Sequence, residues 1–143
     1  MDNWVDATLE GVRAAGHRGG AAQRAVVELL ADEDCCLTAQ EIFDRLRAER
    51  RHVSVASVYR ALELLTELNL VQRVIVGGSS ARFERVAPEN HHHHLVCGDC
   101  GRVEAFRDER LERAIHGVSS KVGYDVEAHD VVLRGACADC ATT

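Results

Sequence analysis

Two Cys-x-x-Cys pairs, Cys97-Gly-Asp-Cys100 and Cys137-Ala-Asp-Cys140, stand 36 residues apart in the chain. Two residues between thiolates let a tight turn present both sulphurs to one tetrahedral ion, so the two knuckles predict a closed four-cysteine zinc site. Gly98 and Gly101 give the first knuckle the backbone freedom such a turn uses. Redox-active pairs or disulfides are the other reading of these motifs. A closed site has no open coordination position, so its expected role is folding energy, tying the C-terminal strand to the rest of its domain. His91-His92-His93-His94 runs into Cys97. On a strand, side chains alternate faces, which sends His91 and His93 one way and His92 and His94 the other. One tetrad can therefore serve two metal sites. A tag or a solvated polar run would look similar, but this run is internal and abuts the knuckle. The remaining cysteines, Cys35 and Cys36, are adjacent.

The elements that must position these groups can be read from periodicity and capping. Trp4, Val5, Thr8, Leu9 and Val12 recur at helical spacing, as do the apolar residues from Ala25 to Leu30. Thr38-Ala-Gln-Glu41 is a capping box ahead of Ile42, Phe43 and Leu46, and Ser54 caps a helix expected from Val55 to about Asn69, with Val58, Leu62, Leu65 and Leu68 inward. Leu70 to Val76 and Ala81 to Val86 flank the turn signal Gly77-Gly-Ser-Ser80 and predict a hairpin. Helices followed by a hairpin predict a winged helix-turn-helix. Ala87-Pro-Glu-Asn90 reads as a linker. Beyond it we expect strands at His93 to Cys97, Arg102 to Phe106 and Val126 to Leu133, with a helix from Asp108 to about Val122. The expected fold is α+β: a winged-helix DNA-binding domain over residues 1–86, a hinge at 87–90 and a small α/β metal-binding dimerisation domain over 91–143.

The chain has 143 residues, 17 basic against 23 acidic, for a net charge of −6. That length suits one compact unit or two small ones, and that charge argues against coating DNA by bulk positive potential. Any DNA contact must be local. Arg45, Arg47, Arg50, Arg51 and Arg60 face only Glu49 between positions 45 and 60, a stretch of +4 that suits either a phosphate-facing surface or a solvated helix end. The first ten residues lack the pattern of a secretory signal, which predicts a soluble, cytoplasmic protein with no membrane partner. In that compartment cysteines read as metal ligands before disulfides.

Ser54-Val-Ala-Ser-Val-Tyr-Arg-Ala-Leu62 resembles the recognition-helix motif of the Fur (ferric uptake regulator) family. His91 to Gly101 resembles that family's His-rich signature with its first zinc knuckle, and Cys137 to Cys140 its second. The resemblance implies that His91 and His93 join Glu112 and His129 in one metal site. It implies that His92 and His94 join Glu84 and Cys36 in a regulatory site at the hinge. Iron-sensing members carry His where Cys36 stands, and a thiolate shifts preference toward zinc. Peroxide-sensing members carry an Asp where Ala105 stands, so peroxide sensing is not expected. Gln72 and Ala87 stand where zinc-sensing actinobacterial members have Asp and Cys. Arg18-Gly-Gly-Ala-Ala-Gln-Arg24 is an imperfect form of the N-terminal motif, and Gly19-Gly20 predicts a weak start to the second helix.

A winged helix reads sequence with residues near the N-terminus of its recognition helix, here Ser57, Tyr59 and Arg60. Tyr59 can set its ring on a thymine methyl, and Arg60 can bond guanine or a phosphate. Arg18 and Arg24 are the expected backbone positioners. One head reads a short half-site, so useful specificity implies a homodimer on double-stranded DNA with an inverted repeat. The expected function is a metal-responsive transcriptional regulator, most often a repressor of metal uptake. It would hold structural zinc and respond to zinc or ferrous iron, with no small-molecule substrate and no catalytic residues. A metalloenzyme or metal-buffering protein using His91, His93, Glu112 and His129 is the alternative, although no H-E-x-x-H, phosphate loop or nucleophile elbow is present.

Overall fold

The computed structural model describes residues 2–76, 80–87 and 91–141. The chain divides into two compact units, Met1–Asn90 and His91–Thr143. Of the expected turn at 77–80 and hinge at 87–90, residues 77–79 and 88–90 lie outside the described residues. No helix among the described residues is long and apolar enough to cross a membrane.

The first unit runs α1 (Asp2–Ala14), α2 (Ala21–Ala31), β1 (Leu37–Thr38), α3 (Ala39–Ala48), α4 (Val55–Glu67), β2 (Val71–Val74) and β3 (Arg82–Arg85). Helices α3 and α4 begin where a side chain satisfies an orphan amide. Thr38 Oγ1 accepts from Glu41 N at 3.1 Å while Glu41 Oε1 accepts from Thr38 N at 3.0 Å. Ser54 Oγ accepts from Ser57 N at 3.0 Å. The second helix starts at Ala21 directly after the double glycine: Gly20 is extended and its N–H donates to Gln23 Oε1 at 3.4 Å, the return half of a capping box whose hydroxyl half glycine cannot supply. Val58, Leu62 and Leu65 of α4 meet Val26, Val27 and Leu30 of α2 and Ile42 and Leu46 of α3 in a single apolar core, which Phe83 and Val71 close from the sheet. Burying each such side chain stabilises the fold by roughly 1.5–3 kcal/mol.

The sheet order is β1-β3-β2, all antiparallel, with Leu37 opposite Phe83 and Gln72 opposite Glu84. The two-residue β1 carried no periodic signal, being too short to show one. It is made a strand by its ladder with β3. The turn after α3 uses Arg50 at φ 61, a left-handed position that costs a side chain bearing a Cβ some strain.

The second unit runs β4 (His93–Cys97), β5 (Val103–Phe106), α5 (Glu109–Val122), β6 (Val132–Gly135) and α6 (Ala138–Ala141). Its sheet order is β5-β4-β6, with β4 antiparallel to β5 and parallel to β6. Asp108 Oδ1 caps α5 by accepting from Arg110 N at 2.8 Å and Leu111 N at 3.1 Å, and Gly123 at φ 72 ends it. The strand expected at Val126 to Leu133 is displaced: β6 covers Val132–Gly135, and residues 124–131 have no regular structure. The cause is register. His94 lies opposite Val132, so in this parallel pair the residues before Val131 run past the start of β4 and have no ladder partner. No residue of α5 is buried, and Val118, Val122, Tyr124, Leu95 and Leu133 are all exposed, with Leu95 and Leu133 side by side in register.

Candidate metal centres

The four sulphurs of Cys97, Cys100, Cys137 and Cys140 lie within 4.8 Å of one another. The first knuckle turns where β4 ends, and the second leads from β6 into α6. The parallel ladder continues past the last strand pair with Gly98 N donating to Gly135 O at 2.8 Å, and this carries the second knuckle to the first. Cys100 N and Cys137 N both point at Cys97 Sγ, at 3.5 and 3.3 Å. These amides hold the Cys97 thiol down at about 6. Hydrogen bonds with Cys137 and Cys97, together with desolvation, push Cys140 up to about 12. One thiolate is thus ready near neutral pH while another waits for an ion. Cys100 Sγ and Cys137 Sγ are 3.8 Å apart, and two sulphurs bound to one tetrahedral zinc at about 2.3 Å each stand about 3.8 Å apart. The donor set fits zinc.

Glu112, on the first turns of α5, gathers three imidazoles. Its Oε1 is 2.6 Å from His93 Nε2, and its Oε2 is 2.7 Å from His129 Nε2 and 3.3 Å from His91 Nε2. Burial opposes ionisation of this carboxyl, but hydrogen bonds with His93 and His129 outweigh it and hold the group at about 2. Val131 N donates to His93 Nδ1 at 3.2 Å and so fixes that buried ring with Nε2 toward Glu112. Three nitrogens and a carboxylate within 4.8 Å form a donor set that suits zinc or ferrous iron.

His94 on β4 and His92 just before it point to the same side, ring centroids 5.0 Å apart, as alternation along an extended chain requires. In the first unit, Cys36 Sγ and the Glu84 carboxylate lie within 4.8 Å of each other, with Cys35 Sγ in the same group. A hydrogen bond with Cys35 and burial push the Cys36 thiol up. Glu84, on β3, is buried and accepts from Gln72 Nε2 at 2.5 Å.

On α4, Tyr59 and Arg60 are exposed, while Ser57 is half-buried with its Oγ 2.7 Å from Ser54 Oγ. Arg18 and Arg24 are exposed, one before α2 and one on it. Two arginines of the basic stretch are engaged elsewhere: Arg45 pairs with Glu33 at 2.6 Å and Arg51 with Glu28 at 2.9 Å. Arg47, Arg50 and Arg60 make no ion pair among the described residues, so the positive surface is narrower than the sequence suggested.

The family model described as "Ferric uptake regulator family" matches residues 14–134, which takes in α4, the first knuckle and the His/Glu cluster and stops short of Cys137. The chain belongs to the ferric uptake regulator family. Fur-family proteins are metal-responsive, DNA-binding transcriptional regulators, and the α+β fold is theirs. The chain is 27% identical over 143 residues to the ferric uptake regulation protein of Bacillus subtilis, covering 98% of this chain and 96% of that one. It is 26% identical over 140 residues to the peroxide-responsive repressor PerR of Staphylococcus epidermidis, covering 98% and 92%. The solved ferric uptake regulator of Helicobacter pylori, described as revealing three functional metal binding sites, superposes with a TM-score of 0.83 at 26% identity, covering 97% of this chain and 95% of that one.

Against this Fur-family background two residues at the candidate sites went unassigned in the sequence. Cys35 joins Cys36 and Glu84; its adjacency to Cys36 was visible, but neighbouring residues ordinarily point apart. Gln72 bonds Glu84 across the hairpin, a pairing that depends on a register no local pattern states.

Proposed function

We propose that this chain is a dimeric, metal-activated repressor of metal uptake or homeostasis genes, acting in the cytoplasm on an inverted-repeat operator. Residues 1–86 read DNA, 87–90 act as the hinge, and 91–143 bind metal and pair the subunits. The observation that carries this reading is that each unit holds its own half-set of donors: Cys36 with Glu84 in the first, His92 with His94 in the second. These four would hold the regulatory ion, zinc or ferrous iron, which when bound neutralises the carboxylate and thiolate. Cys97, Cys100, Cys137 and Cys140 would hold structural zinc, and His91, His93, Glu112 and His129 a further ion. The relative with three functional metal sites supports this division.

Tyr59 and Arg60 would contact base edges and phosphate from the exposed side of α4, with Arg18 and Arg24 on flanking phosphates. Ser57, tied to the Ser54 cap, would orient the start of the helix and reach DNA only by giving up that bond. Pairing would cover the uncovered apolar face of α5 and β6, since patches of that kind on a small unit mark an interface. When donors on both units grip one ion, one orientation of the reading head is favoured. An operator selecting the same orientation then couples its affinity reciprocally to that of the metal. A coupling of about 1–3 kcal/mol suffices for a switch.

The test is operator binding across buffered zinc, iron, manganese and nickel, with Tyr59→Ala as control. Binding that tightens about 5- to 150-fold with one ion and collapses in Tyr59→Ala is expected. Equal binding with and without chelator would overturn the sensory reading, and full binding by Tyr59→Ala the reading surface.

A further inference from the structure

Cys35 has no role in the function proposed above, yet its sulphur is placed where a ligand would be. Adjacent side chains on an extended chain point to opposite faces. Here the backbone bends at Asp34 and Cys35 before entering β1, and the two sulphurs come to 3.6 Å on the same side. Both lie within 4.8 Å of the Glu84 carboxylate. A disulfide requires about 2.05 Å, so these are two separate thiols. Their spacing is close to the roughly 3.8 Å that one tetrahedral zinc imposes on two sulphurs. It is also close to the 3.8 Å between Cys100 and Cys137 in the four-cysteine centre.

We propose that Cys35 is a metal ligand beside Cys36 and Glu84, so that the first unit offers a dithiolate and a carboxylate to a thiophilic ion, zinc ahead of ferrous iron or manganese. This rests on the reading that Cys36 and Glu84 belong to a regulatory ion site. Three donors from the first unit leave one tetrahedral position, so Cys35 takes the place of one of the two imidazoles in the four-ligand set given above and the other imidazole of the His92 and His94 pair completes the site. Soft thiolates raise affinity for zinc far more than for manganese or ferrous iron, which prefer harder oxygen and nitrogen donors. Two thiolates and a carboxylate overcompensate a divalent ion by one negative charge. Arg82, which pairs with Glu41 at 3.1 Å and whose field favours the Cys36 thiolate, offsets part of it.

Cobalt(II) reports thiolate ligation directly, through sulphur-to-metal charge-transfer absorption in the near ultraviolet. The full-length protein, with zinc retained at the four-cysteine centre and its zinc content checked, is titrated with cobalt(II). The His91, His93, Glu112 and His129 cluster contains no sulphur and is silent in this band. Wild type should show the band, Cys35→Ser and Cys36→Ser should each show about half of it, and the double variant none. Both single variants should also lose preference for zinc over manganese in direct competition. Cys35→Ala serves as a second variant, and circular dichroism checks that each one is folded. A full-strength band and unchanged metal preference in both Cys35 variants, with Cys36→Ser reduced, would overturn the role of Cys35 alone. A full-strength band in Cys36→Ser as well would overturn the regulatory site on which it rests.

Discussion

Gln72 and Glu84 are register partners across the β2–β3 ladder, and the Gln72 side-chain amide donates to Glu84 Oε1 at 2.5 Å. The bond orients a buried carboxylate that lies within 4.8 Å of Cys36 Sγ. Partners that orient a ligand in this way typically govern affinity by about 10- to 100-fold. Gln72→Leu, of similar volume, is therefore expected to weaken the regulatory ion by about that factor while leaving zinc at the four-cysteine centre in place. Calorimetric titration of the zinc-retaining protein measures it, and unchanged affinity would show that Glu84 needs no orienting partner.

The Thr38 and Glu41 capping box makes both of its reciprocal bonds, and it sets where α3 begins. Thr38→Ala removes the acceptor for Glu41 N and should cost about 1 kcal/mol in urea unfolding, within the usual range for caps. Thr38→Ser should recover most of it. Equal loss in both variants would mean that the Thr methyl, rather than the cap, is what matters.

Glu112 supplies a pH dependence whose sign follows from its depressed carboxyl. The ordinary value is 4.5 and the folded value about 2, so between them the unfolded chain binds a proton that the folded chain does not. Acid therefore favours unfolding there. The contribution of Glu112 is complete above 4.5 and fades as pH falls toward 2. In metal-free protein, Glu112→Gln should be less stable than wild type near neutrality, with the gap closing in acid. A gap independent of pH would assign the loss to packing.

The four-cysteine centre predicts a proton count. Cys97 is held at about 6 by two backbone amides, so it is already largely ionised near neutral pH. Zinc loading of this centre at neutral pH should release fewer protons than its four thiols could supply, because thiolates, not thiols, are the ligands. A weakly buffered indicator titration measures the number. Release of all four would mean that the amides do not hold Cys97 as a thiolate before the ion arrives.

What the amino-acid order determined here is whatever depends on near neighbours. Thr38 with Glu41, Ser54 ahead of Val55, and the alternation of His91 to His94 act within a few residues, where backbone geometry alone decides which atoms meet. The first knuckle belongs in the same class, a tight turn set by its own spacing, whereas the second opens the short helix α6. Tertiary structure decided everything that needed the chain to return on itself. Parallel pairing with β4 moved the last strand to Val132 and left His129 on an irregular segment beside Glu112. Glu33 and Glu28 took two of the five arginines that looked free, and a bend turned Cys35 toward Glu84 against the alternation an extended chain would impose. Ladder register and cross-element contacts follow from how the whole core closes, and no short window of sequence contains that information.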